Sequence, residues 1–430
     1  MSSAESPLPA AAPPAPAVGK GKLGPLPGSA PRALHPWVWA VLYFPFGLSF
    51  GFPSIALGYL AAKAGISVSA IAGVVGMTLL ASGWKFLWAP IGDYTLTRKR
   101  WYLIAIATVS VGFLAITMVP LSRRTMPVLS VLVLASSVAA TFVAFATEGL
   151  MVHNTPLAAR GRAAGWFQAG NHLGQTAGGG LALWLMRHAP HPWVAGAGLA
   201  LLLFLCAVPL LLVAEPPRAL QGAAMWARVG DAWRELMGVV RSRAGRIGLI
   251  LAVLPIGTGA AKDLFGSLGP EWNVPADTVS LVLGLGGGIA IVLGCFAGGR
   301  LADRIDKPWA YATACGLGLV ACVVMAWSPR SVAGYAISTL FYTFTLGMVA
   351  GSFTGLVLAI VGHSAAATKI NLFFALNTLF TLGMLRADGA AHDAWHTNGM
   401  LYTEALAGVA ALALFAWLAG KIRGAELPGA

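Results

Sequence analysis

The chain is built from apolar runs of about 20 residues, divided by short stretches that carry nearly all of its charge. Twenty helical residues rise about 30 Å, the thickness of a bilayer's hydrocarbon core. Lipid offers no partner to backbone N–H and C=O groups, so a spanning segment must be a helix or part of a closed barrel. These runs do not alternate apolar and polar residues, which excludes barrel strands. Composition excludes a soluble globule. Apolar residues make up 57% of the chain and charged residues 10%, against about 25% charged in a typical soluble domain. Mean hydropathy is +0.76, more apolar surface than a 430-residue soluble fold can bury.

Breaks at charges, Pro and Gly define twelve spans. The first six are expected near 37–60, 69–90, 102–121, 128–150, 163–186 and 193–214. The second six are expected near 246–266, 278–298, 309–328, 332–361, 369–386 and 399–420. Residues 1–35 are Pro/Ala-rich and lack an apolar period, which predicts a disordered tail. They do not read as a cleaved signal peptide, so the first span is expected to act as an uncleaved anchor.

Loop charge sets the expected orientation. Of the 28 Lys and Arg, 20 fall in segments that share a side with residues 1–35. The opposite loops hold only Lys63, Arg123, Arg124, Arg187, Arg330 and Arg386, and Lys85 and Lys262 lie inside spans. Both termini are therefore expected on the cytoplasmic side of the inner membrane. The net charge of +13 belongs to this pattern. No basic stripe interleaves with aromatics, so nucleic acid is not an expected partner. Cys206, Cys295, Cys315 and Cys322 lie within apolar runs without a paired spacing, so they predict small packed side chains and no metal or redox cofactor.

The longest internal loop falls between spans six and seven. It divides the chain into a first lobe at 36–214, a linker at 215–245, a second lobe at 246–420 and a short cytoplasmic tail at 421–430. In the linker Trp226, Val229, Trp233, Leu236 and Val240 recur at helical spacing among charges, which predicts a helix lying on the membrane surface.

The two halves carry a repeated loop. Gly299-Arg300-Leu301-Ala302-Asp303-Arg304 leads to Lys307 between spans eight and nine, and Gly92-Asp93-Tyr94-Thr95-Leu96-Thr97 leads to Arg98, Lys99 and Arg100 between spans two and three. Asp93 and Asp303 stand 210 positions apart, at the same place in each half. These stretches resemble the loop motif of the major facilitator superfamily. The resemblance implies an all-α membrane fold of two pseudo-symmetric six-helix lobes. It places Asp93 near the start of span eleven at Thr368 and Asp303 near the start of span five at Ala163. There a carboxylate would accept backbone N–H bonds at a positive helix end.

Three further stretches resemble the AmpG-type muropeptide permease branch. They are Trp84-Lys85-Phe86-Leu87-Trp88-Ala89-Pro90, Thr155-Pro156-Leu157-Ala158-Ala159-Arg160-Gly161, and Gly178-Gly179-Gly180-Leu181-Ala182-Leu183-Trp184-Leu185. Glu148 stands where that branch has an acid near the end of span four, and His153 stands where it has another. The resemblance implies a muropeptide-, peptide- or siderophore-like substrate.

Polar residues inside spans need a reason, since an isolated charge there costs roughly 3 kcal/mol. Lys85 and Glu148 can pair near the even-numbered loops, or snorkel to headgroups. Lys262 and Asp263 lie deep in span seven and, as helical neighbours, are not expected to face each other. Gln168, Asn171, His172 and Gln175 share one face of span five. Asn371 and Asn377 add polar surface to span eleven. Gly170, Gly174, Gly178 and Gly179 read as close helix packing, and Pro45, Gly47, Gly51 and Pro53 predict a bend in span one. Gly284 to Gly288 in span eight permits movement or close packing. Asp388, His392, Asp393 and His396 are expected in a solvated last loop.

The expected function is alternating-access transport of a small organic solute by a monomer in the inner membrane. Protons are the candidate coupling ion, through Glu148, His172 or Asp263. Two other classes stay open: a non-transporting assembly factor on the same fold, and a membrane enzyme, for which no catalytic cluster is visible. If Asp93 latches the outward-open state, Asp93→Asn shifts the population inward. Cysteine accessibility reads this out, and unchanged labelling together with unchanged transport sinks the assignment.

Overall fold

The computed structural model describes residues 34–85, 96–156, 159–215, 259–361 and 366–422. Among them every regular element is helical. The first lobe comprises α1 (Trp37–Lys63), α2 (Val68–Gly83), α3 (Arg98–Met118), α4 (Met126–Asn154), α5 (160–188) and α6 (Pro192–Leu212). The second comprises α7 (260–268), α8 (Ala276–Arg304), α9 (Lys307–Trp327) and α10 (Val332–Val361), followed by the stretch Ala366–Ile422. Non-helical backbone at Trp395 and His396 divides that stretch into α11 and α12. These helices follow the twelve expected spans in order; seven of them, and the stretch Ala375–Trp417 that holds α11 and α12, are long and apolar enough to cross a membrane. The tail, the end of span two with Asp93, the linker and most of span seven lie outside the described residues.

Helix starts follow local chemistry. The Ser67 hydroxyl accepts from the Ala70 amide at 3.4 Å and Thr97 accepts from Arg100 at 3.3 Å, each satisfying an orphan N–H of a first turn. Pro lies in the first turn of α4, α6 and α9, where no N–H is missed. Position within the bundle follows from burial. The most apolar stretch of α1 is 78% buried, whereas those of α3, α6 and α9 are 44% buried. Thus α1 is central, while the others turn one flank to lipid.

Packing shows the pseudo-symmetry. Between lobes, α2 packs on α11 and α5 packs on α8. Exchanging each helix for its counterpart six places along the chain turns one interface into the other. The expected bend in span one is a π-helical turn at Phe52–Leu57, beginning beside Pro53, which lacks an amide proton. Two further π turns, Gly174–Gly178 in α5 and Ser280–Gly286 in α8, meet it where the lobes touch.

Glycine lets α1 and α5 pack backbone to backbone. A Cβ on Gly47 would run into the Asn171 carbonyl, one on Gly51 into the Gln175 carbonyl, and one on Gly174 into the Phe44 carbonyl. The close-packing reading of the span-five glycines therefore holds. Gly284 likewise packs, with a Cβ there lying 3.2 Å from the Gly180 Cα. Gly174→Val is expected to destabilise the protein by about 1–3 kcal/mol through overpacking. Gly73→Ala, which meets nothing within 4 Å inside α2, should not destabilise it. Thermal melts in detergent distinguish the two, and equal melting would refute the close-packed seam.

Candidate functional site between the lobes

Connections after odd-numbered helices emerge on one face of the bundle, and those after even-numbered helices on the other. Polar contacts join the lobes at the odd-loop face. The Tyr59 hydroxyl donates to the Val274 carbonyl at 3.1 Å, and the Ser280 hydroxyl donates to the Gly180 carbonyl at 2.5 Å. His188 and Asp277 lie 3.7 Å apart. The Asp393 carboxylate accepts from the Val68 amide at 2.9 Å and the Ser69 amide at 3.3 Å, capping α2 from α11. Toward the even-loop face, Gln168 on α5 is exposed and Leu173 is 41% exposed.

Span five carries the predicted polar face. The Gln175 amide donates to Asn171 Oδ1 at 3.2 Å and accepts from Lys262 Nζ at 3.3 Å, so a side-chain bridge joins the lobes. Part-buried His172 lies on the same face, and its Nδ1 has no hydrogen-bond partner among the described residues. The expectation that Lys262 and Asp263 would not face each other is overturned, since Lys262 Nζ lies 3.8 Å from Asp263 Oδ1. The reason is local. Gly259 adopts a left-handed conformation (φ 65°), and 260–264 is a tighter 3₁₀ turn rather than an α-helix. Its geometry and the long lysine stem allow the ammonium to fold back. Asn377 is half-buried on α11, while the Asn371 side chain lies outside the described residues.

Lys85 and Glu148 pair at 3.7 Å with side chains 29% and 39% exposed. At that exposure the pair is worth at most about 1 kcal/mol. Its placement matters more, because it joins α2 and α4 toward the even-loop face.

The repeated loop is partly described. The backbone amides of Arg98 and Lys99 donate to the Glu215 carboxylate at 2.7 and 3.1 Å, so an acid from the end of the first lobe caps α3. The Arg98 guanidinium donates to the Phe145 carbonyl at 3.3 Å and sits over its ring at 4.7 Å. Arg100 contributes its amide to the Thr97 cap. In the second copy Asp303, Arg304 and Lys307 are exposed, and a Cβ on Gly299 would meet nothing within 4 Å. Asp303 makes no hydrogen bond or ion pair to a described residue, and the segment that leads into span five lies outside the described residues.

Sequence reasoning missed a second group. Asp388, read as part of a solvated loop, is fully buried in α11. Charge at 386–393 predicts the end of a span, yet the helix continues to the break at Trp395 because several residues before it meet packed structure. Gly389 packs against Ser69 and Ala72, and Asp393 caps α2. His392 Nε2 lies 2.7 Å from Glu271 Oε2, which also accepts from the Thr397 hydroxyl at 2.8 Å. Glu404 in α12, not singled out in the sequence, accepts from Tyr342 at 2.7 Å and the Ala261 amide at 3.2 Å. Charge placed inside a twelfth apolar run was the signal that could have found it.

These features define a multi-pass helical membrane protein of two pseudo-symmetric lobes with polar groups at their interface. The Major Facilitator Superfamily family model matches residues 39–387, and the chain belongs to that superfamily. Among individual proteins, the anhydromuropeptide permease of Escherichia coli (strain K12) is 27% identical over 325 residues, covering 69% of this chain. The match spans 62% of that permease's length, and the permease of Escherichia coli O157:H7 matches to the same extent. Solved structures share the fold. A POT family transporter in complex with a thioalcohol conjugated peptide superposes with TM-score 0.69 at 10% identity, covering 90% of this chain and 96% of that one. A D-xylose-proton symporter gives 0.66 at 14% identity, covering 88% and 97%. The inward-open xylose transporter XylE from E. coli gives 0.65 at 14%, covering 89% and 95%.

The odd-loop face contains a pH-sensitive contact. Burial raises the Glu271 carboxyl, but the His392 and Thr397 hydrogen bonds outweigh it and hold the group down at about 2. Its folded value lies below the unfolded value of 4.5, so the stability it contributes is present above pH 4.5 and lost as pH falls toward 2. Melting temperature in detergent should therefore fall over that window in the native protein. Glu271→Gln should melt lower at neutral pH and lose less on acidification, and parallel pH curves would refute the contact.

Proposed function

We propose that this chain is a secondary carrier of the inner membrane that moves a small organic solute by alternating access. Its two lobes rock about the interface built from α1, α5, α7, α8 and the α2–α11 pair. The carrying observation is the polar zipper that joins the lobes at the odd-loop face. The loop-charge bias assigns the odd-loop face to the periplasm and both termini to the cytoplasm, so this conformer is closed outward. The chain likeness to anhydromuropeptide permeases, and the fold likeness to peptide and sugar transporters, support a solute that mixes peptide and polar carbohydrate character.

In this reading Gln168, Asn171, His172, Gln175, Lys262, Asp263 and Asn377 supply polar contacts at the lobe interface. Lys262 also joins the lobes through Gln175, so it couples occupancy to closure. Lys85 and Glu148 stand at the cytoplasmic mouth. The exposed Asp303 forms its contact at the start of α5 when that mouth shuts. Glu148, His172 and Asp263 are the groups through which a proton gradient would act.

Purified protein in proteoliposomes, offered muropeptides, short peptides and siderophores in turn, is expected to accumulate one of these classes when the outside is acidic. Lys262→Met should lower that uptake at least about tenfold, the effect of losing ~1.4 kcal/mol of barrier stabilisation. Uptake indifferent to the gradient removes proton coupling, and no uptake of any class removes the proposed substrate range.

A further inference from the structure

Two carboxylates lie inside the second lobe, away from the bridge between the lobes. Asp388 is 0% exposed and Glu404 6% exposed. Asp388 stands seven residues before Trp395 and Glu404 eight residues after His396, so each lies roughly 11 Å from the break between α11 and α12. That symmetry places them at one depth. Their surroundings differ. Glu404 takes two donors, the Tyr342 hydroxyl at 2.7 Å and the Ala261 amide at 3.2 Å. Both Asp388 oxygens are buried with no hydrogen-bond partner among the described residues. Glu404 also lines a small cavity with Gly259, Cys322, Tyr342 and Thr345, beside the left-handed break that opens α7.

We propose that Asp388 and Glu404 form a proton-binding site in the second lobe, and that its loading controls the broken end of α7 and with it the Lys262–Gln175 bridge. An uncompensated buried carboxylate costs several kcal/mol, so Asp388 holds a proton in this conformer. Glu404, given two donors, is the one of the pair that can carry the charge. Its charge strengthens the bond from Ala261 N–H, an amide of the turn that carries Lys262. A second proton, taken from water onto a Glu404 oxygen, removes that charge. The turn is then held less firmly and the bridge to Gln175 loosens. The titratable groups facing the pair are Tyr342 on α10, Cys315 and Cys322 on α9, and Asp263 with Lys262 on α7. α2, packed on α11, carries none between Val68 and Gly83.

This inference rests on the two-lobed carrier proposed above, but its test needs no cargo. Infrared spectra of the full-length protein in lipid should show a protonated carboxylic acid band at neutral pH that Asp388→Asn removes. A second band should grow on acidification and be absent in Glu404→Gln. Labelling of a cysteine replacing Ser280, in a background lacking the four native cysteines, should speed up several-fold on acidification. Glu404→Gln should fix it at the fast rate. If that variant does not fold, Tyr342→Phe should move the second band's growth to higher pH. Bands unchanged in both carboxyl variants, or labelling indifferent to pH, overturn the site whether or not transport is found. Failure of transport with the bands as expected overturns the carrier reading alone.

Discussion

Lipid gives a backbone amide nothing to bond with, and the architecture follows from that deficit. Where the chain stays regular, each helix satisfies itself. Where it departs from regularity, a partner is supplied inside the protein. The left-handed break at Gly259 is followed by a 3₁₀ turn whose Ala261 amide reaches Glu404. The start of α2 takes the Asp393 carboxylate, and the start of α3 takes Glu215. Three of the described acids thus serve amides where a helix begins or breaks.

The same deficit explains why helices pack through glycine here. Water drives no hydrophobic association inside a bilayer, so close van der Waals contact has to do it. In lobe one that contact is the α1–α5 seam, with backbone against backbone at Gly47, Gly51 and Gly174. Between the lobes, α2 meets α11 from Ser69 and Gly389 to Gly83 and Leu379, and α5 meets α8 with Gly180 against Gly284 and Thr176 against Gly288.

Much of the fold was legible because apolar run length and loop charge are consequences of the bilayer itself. The order of helices, the bend at Pro53 and the packing glycines all followed. Pairing of Lys85 with Glu148 was one of two readings the sequence left open, and the 3.7 Å contact selects it in this conformer. Asp388 was misread because the sequence shows charge but not its surroundings, and a buried acid looks the same as a loop acid. Lys262 and Asp263 were misread because adjacency was judged on an ideal helix, while Gly259 sets a different backbone. Glu404 and Glu215 went unnoticed because their partners are amides 143 and 117 residues distant in the chain. No local pattern records a contact of that kind.

Glu215 is also the last described residue before the segment that joins the lobes. Its carboxylate is tied to the amides of Arg98 and Lys99, at the basic end of the first repeated loop. The tether between the lobes therefore leaves lobe one from a fixed corner. The basic end of the first repeated loop and the point where the chain departs from lobe one are thus a single hydrogen-bonded corner.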